Sequence, residues 1–168
     1  MLQKTIYFER QLDINNFLPE CQDTLRDYLC PLCEGVYKDP IIDECNHVFC
    51  KNCIEKSLKT TKACPLIPAN MIDEKKLSSI KFVTNILDKQ SLYCLNKSKD
   101  CKWFGKLQVL SNHLTIDCKK QAINCVNPGC EHKVPREEMV NHQNVCDYRT
   151  INCSDCNSSI AFILQSFH

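Results

Sequence analysis

The residues with the strongest claim to chemistry in the first half of the chain are Cys30, Cys33, Cys45, His47, Cys50, Cys53 and Cys64. They are spaced C-x2-C, eleven residues, C-x-H-x2-C-x2-C, ten residues, C. A C-x2-C pair sets two thiolates on one tight knuckle, and a structural zinc ion takes four such donors, so two distant knuckles must converge on each metal. Gly35, two residues past Cys33, suits the backbone relaxation that a knuckle demands.

A second series follows. Cys94, Cys101, His113 and Cys118 read C-x6-C-x11-H-x4-C, and Cys125, Cys130, His142 and Cys146 read C-x4-C-x11-H-x3-C. Cys153 and Cys156 open a third unit, and His168 follows Cys156 after another eleven residues. Six residues separate one unit from the next in both cases, each linker ending in Ile-Asn at Ile123-Asn124 and Ile151-Asn152. By the rule of the repeat a further ligand belongs about four residues past His168, so the chain reads as a piece of a longer protein. Units this short cannot build a sufficient apolar core, and metal must supply what packing does not.

The elements that position these donors are readable in outline. Leu110 and Met139 each precede a histidine by three residues, on the same helix face. In the third unit the equivalent position is Gln165, with Leu164 and Phe167 as substitutes. Pro135 followed by Arg136, Glu137 and Glu138 marks a helix start. Between Asp73 and Tyr93, Leu77, Ile80, Val83, Ile86 and Leu87 follow a helical period, with Asp73 and Glu74 placed to cap it. A helix of this length must lay its apolar stripe on a neighbouring module.

Composition agrees with metal thiolates. The chain has 15 cysteines and 5 histidines in 168 residues. An odd cysteine count, interleaved histidines and an amino terminus without an apolar signal core argue against a disulfide scaffold and for a reducing, cytoplasmic compartment. No apolar run approaches the roughly 18 residues of a membrane span. A net charge of +1 gives no field toward nucleic acid or anionic lipid, so neither is expected as a partner.

The first spacing resembles the RING finger family. That resemblance implies interleaved sites, with Cys30, Cys33, Cys50 and Cys53 on one zinc ion and Cys45, His47 and Cys64 on the other. Ile67 stands where the family has a final Cys or Asp. A water, Asp73, a stray donor such as Cys21, or no metal at all are the alternatives there. Ile67 itself reads as a core residue replacing a ligand, and Asp73 as a cap sooner than a ligand. The register of the later units, following a RING and a short helix, resembles the amino-terminal half of the TRAF family, the tumour necrosis factor receptor-associated factors. The organisation expected is an extension over 1–27, a RING over 28–72, a connecting helix over 73–93, and TRAF-type zinc fingers over 94–118, 119–146 and 147–168. In fold class these are small zinc-stabilised α+β modules in tandem, a RING cross-brace and then ββα-like fingers.

The resemblance also implies a function, a RING-type ubiquitin ligase. Such proteins carry no catalytic residue of their own. They hold a ubiquitin-loaded conjugating enzyme beside a protein substrate, and positioning is the device. The implied docking groove is Leu32, Ser57, Leu58, Pro65 and Leu66, with Ser57 small where many ligases have Trp and Pro68 uncharged where many have a cation. The fingers are expected to act as spacers and protein-interaction modules, contributing to contacts with the conjugating enzyme or to a homodimer. The rival reading is a non-catalytic adaptor with a degenerate RING. Cys21 and His132 are left over, the first as a packed thiol and the second as a hairpin residue.

Overall fold

The computed structural model describes residues 11–154 and 156–167. The first ten residues of the expected extension and the expected ligand His168 lie outside the described residues.

The first module is built on a three-stranded antiparallel sheet. Strand β1 (Pro40–Ile42) pairs with β2 (Val48–Cys50) on one side and β3 (Ser78–Ser79) on the other. Helix α1 (Pro19–Leu25) lies upstream, and α2 (Lys51–Thr60) follows β2 directly. Ile54 and Leu58, four residues apart, turn the same face of α2 into a core with Phe49 and Ile72.

The expected helix over 73–93 is divided into four structures, the last of them the strand Ser91–Tyr93. Asp73 caps a short 3-10 turn (Glu74–Lys76), β3 follows, and only Lys81–Asp88 forms an α-helix, α3. The local period is real, but the open edge of β1 takes Ser78 and Ser79 opposite Ile42 and Ile41, and the Ile80 amide donates to the Pro40 carbonyl at 3.0 Å. Pairing with a distant strand outweighs a propensity worth only tenths of a kcal/mol per residue, about 0.7 at most.

Three ββ-plus-helix units follow. The first has β4 (Ser91–Tyr93), β5 (Phe104–Lys106) and α4 (Leu107–Asn112), which runs on as a π-type turn through Asp117. The second has β6 (Ala122–Asn124), β7 (Lys133–Pro135), a 3-10 turn and α5 (Met139–Val145). The third has β8 (Thr150–Asn152), β9 (Ser159–Ala161) and a 3-10 segment (Phe162–Phe167). A backbone bond recurs at the hairpin-to-helix step of each: Leu107 to Gln90, Arg136 to Gln121 and Phe162 to Arg149, at 2.9, 2.9 and 2.8 Å.

The first module and the first finger share one apolar core. Leu12, Phe17 and Leu25 from the amino-terminal segment are buried with Val36, Leu87 and Leu92, and with Leu107, Leu110 and Leu114 of the finger. Residues 11–27 are therefore not an appendage: Leu12 bridges Val36, and Phe17 bridges Leu92. Asp13 caps the turn between them, its carboxylate accepting the Asn15 amide at 2.7 Å. Cys21 packs against this core. The lack of a side chain at Gly35 serves this contact and not the conformation of the knuckle. A Cβ there would sit 2.7 Å from Gln11 Cγ and 2.9 Å from the Leu12 carbonyl, whereas the left-handed residue at the knuckle is Glu34, at φ 59°.

Candidate zinc centres

The first knuckle is closed by backbone bonds, Glu34 N–H to the Cys30 carbonyl at 2.7 Å and Cys30 N–H to the Gly35 carbonyl at 2.8 Å. The second, Cys50 and Cys53, straddles the start of α2. Together they bring the sulfur atoms of Cys30, Cys33, Cys50 and Cys53 within 4.8 Å of one another. Amides aim into the cluster: Cys50 N–H reaches Cys30 Sγ at 3.4 Å and Lys38 N–H reaches Cys50 Sγ at 3.2 Å.

The thiol acidities follow from that crowding. Cys30 is held down to about 4, first by the hydrogen bond from the Cys50 thiol. Cys50, which gives that bond and is buried, is pushed up. Burial and then the sulfur of Cys33 push Cys53 up to about 12. Sulfurs crowded in this way resist ionising together, and a divalent cation would offset that repulsion. The donor set fits zinc.

Fingers 1 and 2 each bring the four donors of their unit within 4.8 Å: Cys94, Cys101, His113 and Cys118, then Cys125, Cys130, His142 and Cys146. Both histidines face inward through Nε2, at 3.2 Å from Cys94 Sγ for His113 and 3.5 Å from Cys130 Sγ for His142. The His113 ring is fixed by Trp103, stacked at 4.2 Å with the planes 8° apart. Gly105 makes room for that indole, since a Cβ would lie 2.7 Å from it. Burial first pushes Cys94 up to about 12. Asn96, itself buried, donates to Cys118 Sγ at 3.4 Å and to Gln121 Oε1 at 3.0 Å. Partners of this kind orient metal ligands and tune them. The spacing C-x-N, repeated at Cys125 and Asn127, was the unread signal for them. In the third unit Cys156 Sγ is 2.7 Å from Ser158 Oγ. His132 is exposed, its ring 5.7 Å from that of His142.

In the second cluster of the first module Cys45, His47 and Cys64 also converge, with His47 facing inward through Nδ1, 3.3 Å from Cys64 Sγ. A carboxylate oxygen of Asp43 joins them within 4.8 Å. Burial pushes the Asp43 carboxyl up, but the His47 amide, the nearby Cys64 thiol and the Cys45 amide outweigh it and hold it below the usual carboxylate range. Asp43 went unread in D-E-C-N-H, although it lies two residues before Cys45 on the same turn.

The Ile67 side chain is exposed, so it replaces no ligand by core packing. Asp73 is occupied as a cap, accepting the Lys75 amide at 3.0 Å. Cys21 belongs to the other core.

Of the expected docking residues, Leu32 and Leu66 are exposed, at 38% and 46%, and Ser57 and Pro65 are half-buried. Leu58 is not available to a partner: it is 2% exposed and packs under α2 with Ile54. Among the described residues no helix is long and apolar enough to cross a membrane.

Residues 29–66 match the family model described as zinc finger, C3HC4 type (RING finger). The chain is 28% identical over 160 residues to RING finger protein 151 of Bos taurus, covering 93% of this chain and 64% of that protein. It is 29% identical over 144 residues to the E3 ubiquitin-protein ligase NRDP1 of Danio rerio, covering 83% and 43%. It is 28% identical over 126 residues to the E3 ubiquitin-protein ligase PDZRN3 of Mus musculus, covering 74% and 12%. The chain thus spans less than two thirds of the length of each of these curated relatives.

Proposed function

We propose that the protein, whose residues 29–66 match the C3HC4-type RING finger model, is a RING-type E3 ubiquitin ligase. The observation that carries this reading is the RING segment itself, folded with its two knuckles crossed on one four-cysteine cluster and lying in a chain whose relatives include proteins named as ubiquitin-protein ligases. Zinc bound by these cysteines and histidines supplies shape, not reaction chemistry. The metal ligands proposed are Cys30, Cys33, Cys50 and Cys53; Cys45, His47 and Cys64; and the Cys-Cys-His-Cys sets of the first two fingers. The modules proposed are the RING and the tandem fingers at the boundaries set out above.

The partners are a ubiquitin-conjugating enzyme, ubiquitin and a protein substrate. Leu32, Pro65 and Leu66, with Ser57 beside them, form the apolar surface on which the conjugating enzyme docks. A substrate lysine amine attacks the thioester carbonyl, the conjugating enzyme's cysteine leaves as thiol, and the ligase contributes by restricting the geometry of that encounter. Ser57 offers little contact area, so docking is weak. Fifteen cysteines kept as thiols suit a cytoplasmic setting. The fingers serve as spacers and as the surface for self-association or substrate.

The test is discharge of ubiquitin from a panel of loaded conjugating enzymes. Acceleration by the protein that falls at least about tenfold in Leu32→Ala, at unchanged zinc content, is the expected outcome. No acceleration with any member of the panel would instead leave a binding-only adaptor.

A further inference from the structure

We propose that Asp43 is the fourth donor of the second RING site, so that Asp43, Cys45, His47 and Cys64 form a closed zinc centre although the position after the usual C-x2 spacing is Ile67. This rests on the zinc reading of the chain and not on ubiquitin transfer.

A simpler role for Asp43 explains only half of its side chain. The turn from Asp43 to His47 is stapled by Oδ1, which accepts the amides of Cys45 at 2.9 Å and His47 at 2.8 Å. Backbone bonds from Asp43 to His47 and from Asn46 to Asp43, with Asn46 left-handed at φ 62°, complete that turn. A loop staple needs nothing more. Yet Oδ2 is also buried, the side chain is 0% exposed, and among the described residues this oxygen has no hydrogen-bond partner. A buried carboxylate oxygen without a partner is rarely retained, because its desolvation goes uncompensated.

The orphaned atom points at the donors that lack a fourth. Oδ2 lies 3.6 Å from His47 Nδ1, which lies 3.3 Å from Cys64 Sγ. Donors around a tetrahedral zinc ion bound at about 2.0–2.3 Å stand about 3.3–3.8 Å apart. Two thiolates, a carboxylate and a neutral imidazole on zinc carry one net negative charge, the same as the sets of three cysteines and one histidine in the fingers. With four protein donors no position is left for a metal-bound water, which removes the open-site reading and the hydrolytic chemistry that would go with it.

The chain after Cys64 is then free of any metal bond, and its own contacts hold it. Cys64 N–H donates to the Asn70 carbonyl at 2.8 Å, Asn70 N–H to the Ile67 carbonyl at 2.9 Å, and Asn70 Nδ2 to Cys45 Sγ at 3.4 Å.

Asp43→Asn tests the assignment, because an asparagine Oδ1 still staples the turn while the second position becomes a non-ligating amide. By native mass spectrometry of the whole chain under a zinc chelator, we expect Asp43→Asn to lose one zinc ion while the others stay. The retention of that ion should fall by more than the 10–100-fold, roughly, that loss of an outer partner costs. Asp73→Asn and Ile67→Ala should match the wild type. An Asp43→Asn chain that keeps the wild-type zinc count and chelator resistance overturns the proposal. Should the variant lose every zinc ion by failing to fold, the wild-type chain decides. Loaded with 113Cd and labelled with 13C at aspartate carboxyls, it should show cadmium–carbon coupling at Asp43, and an uncoupled Asp43 signal overturns the assignment equally.

Discussion

Replacing Arg136 with alanine should let finger 2 swing free of finger 1 while both keep their metals. The guanidinium belongs to the start of the finger 2 helix but spends its donors on finger 1. It gives hydrogen bonds to the carbonyls of Thr115 at 2.6 Å, of Leu114 at 3.2 Å and of Cys118. All three lie at the carboxyl end of the finger 1 helix, where a cation is favoured, and the Cys118 carbonyl also accepts the Gln121 amide at 3.1 Å. A hydrogen bond from a charged donor contributes about 1.5–3 kcal/mol, but the three share one group and water replaces some of them in the variant. A net loss of about 2 kcal/mol is expected, which raises the undocked population roughly 30-fold. Arg136→Lys should fall between, since one ammonium cannot fork to three carbonyls. The assay is residual dipolar coupling with amide relaxation: the wild-type fingers should share one alignment tensor, and the Arg136→Ala fingers should need two. One shared tensor in the variant, with zinc content intact, would refute the claim that this side chain sets the angle between fingers.

Two further outcomes follow from where the apolar core lies. Phe17→Ala removes a fully buried ring from the shared core and should destabilise the junction of the first module and finger 1 by about 3–5 kcal/mol, read as lost amide protection at Leu92 and Leu110, without changing the number of zinc ions bound. Stripping zinc should unfold finger 2 before finger 1, because among the described residues Met139 is the one apolar side chain other than cysteine that finger 2 buries, whereas finger 1 buries Leu107, Leu110 and Leu114. Hydrogen exchange after stepwise chelation checks this, and equal protection of the two fingers at every step would count against it.

The legible parts of the chain were those whose constraint is local in sequence. Ligand spacing is a one-dimensional record of knuckle geometry, so Cys30 and Cys33 or Cys101 and His113 announce themselves. So do Leu110 and Met139, one helical turn before a histidine. What stayed hidden depends on distant partners. Nothing in Ser78-Ser79 says that β1 has an open edge for it, and Leu12, Phe17 and Leu25 follow no period because they fill a junction, not a face of one element. Asp43 escaped notice because carboxylates are common on turns, and only its buried second oxygen distinguishes it. Leu58 lies outside the groove in which the family resemblance places it: four residues after Ile54, it falls on the buried face of α2, a placement the helical period alone indicates.

The shared core and the proposed docking surface do not compete for the same residues. Val36, with Tyr28, Leu29 and Tyr37 packed beside it, is what the first module gives to the shared core, whereas Leu32, Pro65 and Leu66 belong to neither buried cluster. Finger 1 can therefore stay packed on the first module through Leu12, Phe17 and Leu25 while the proposed docking residues are left uncovered. Arg136 and the Lys120–Glu137 pair, at 2.6 Å, extend that order to finger 2. Were the modules strung on loose linkers, a substrate held by the fingers would sample a wide volume and the effective concentration of its lysine at the thioester would be low. A junction packed like a protein interior narrows that volume, which is what the proposed function would require of it.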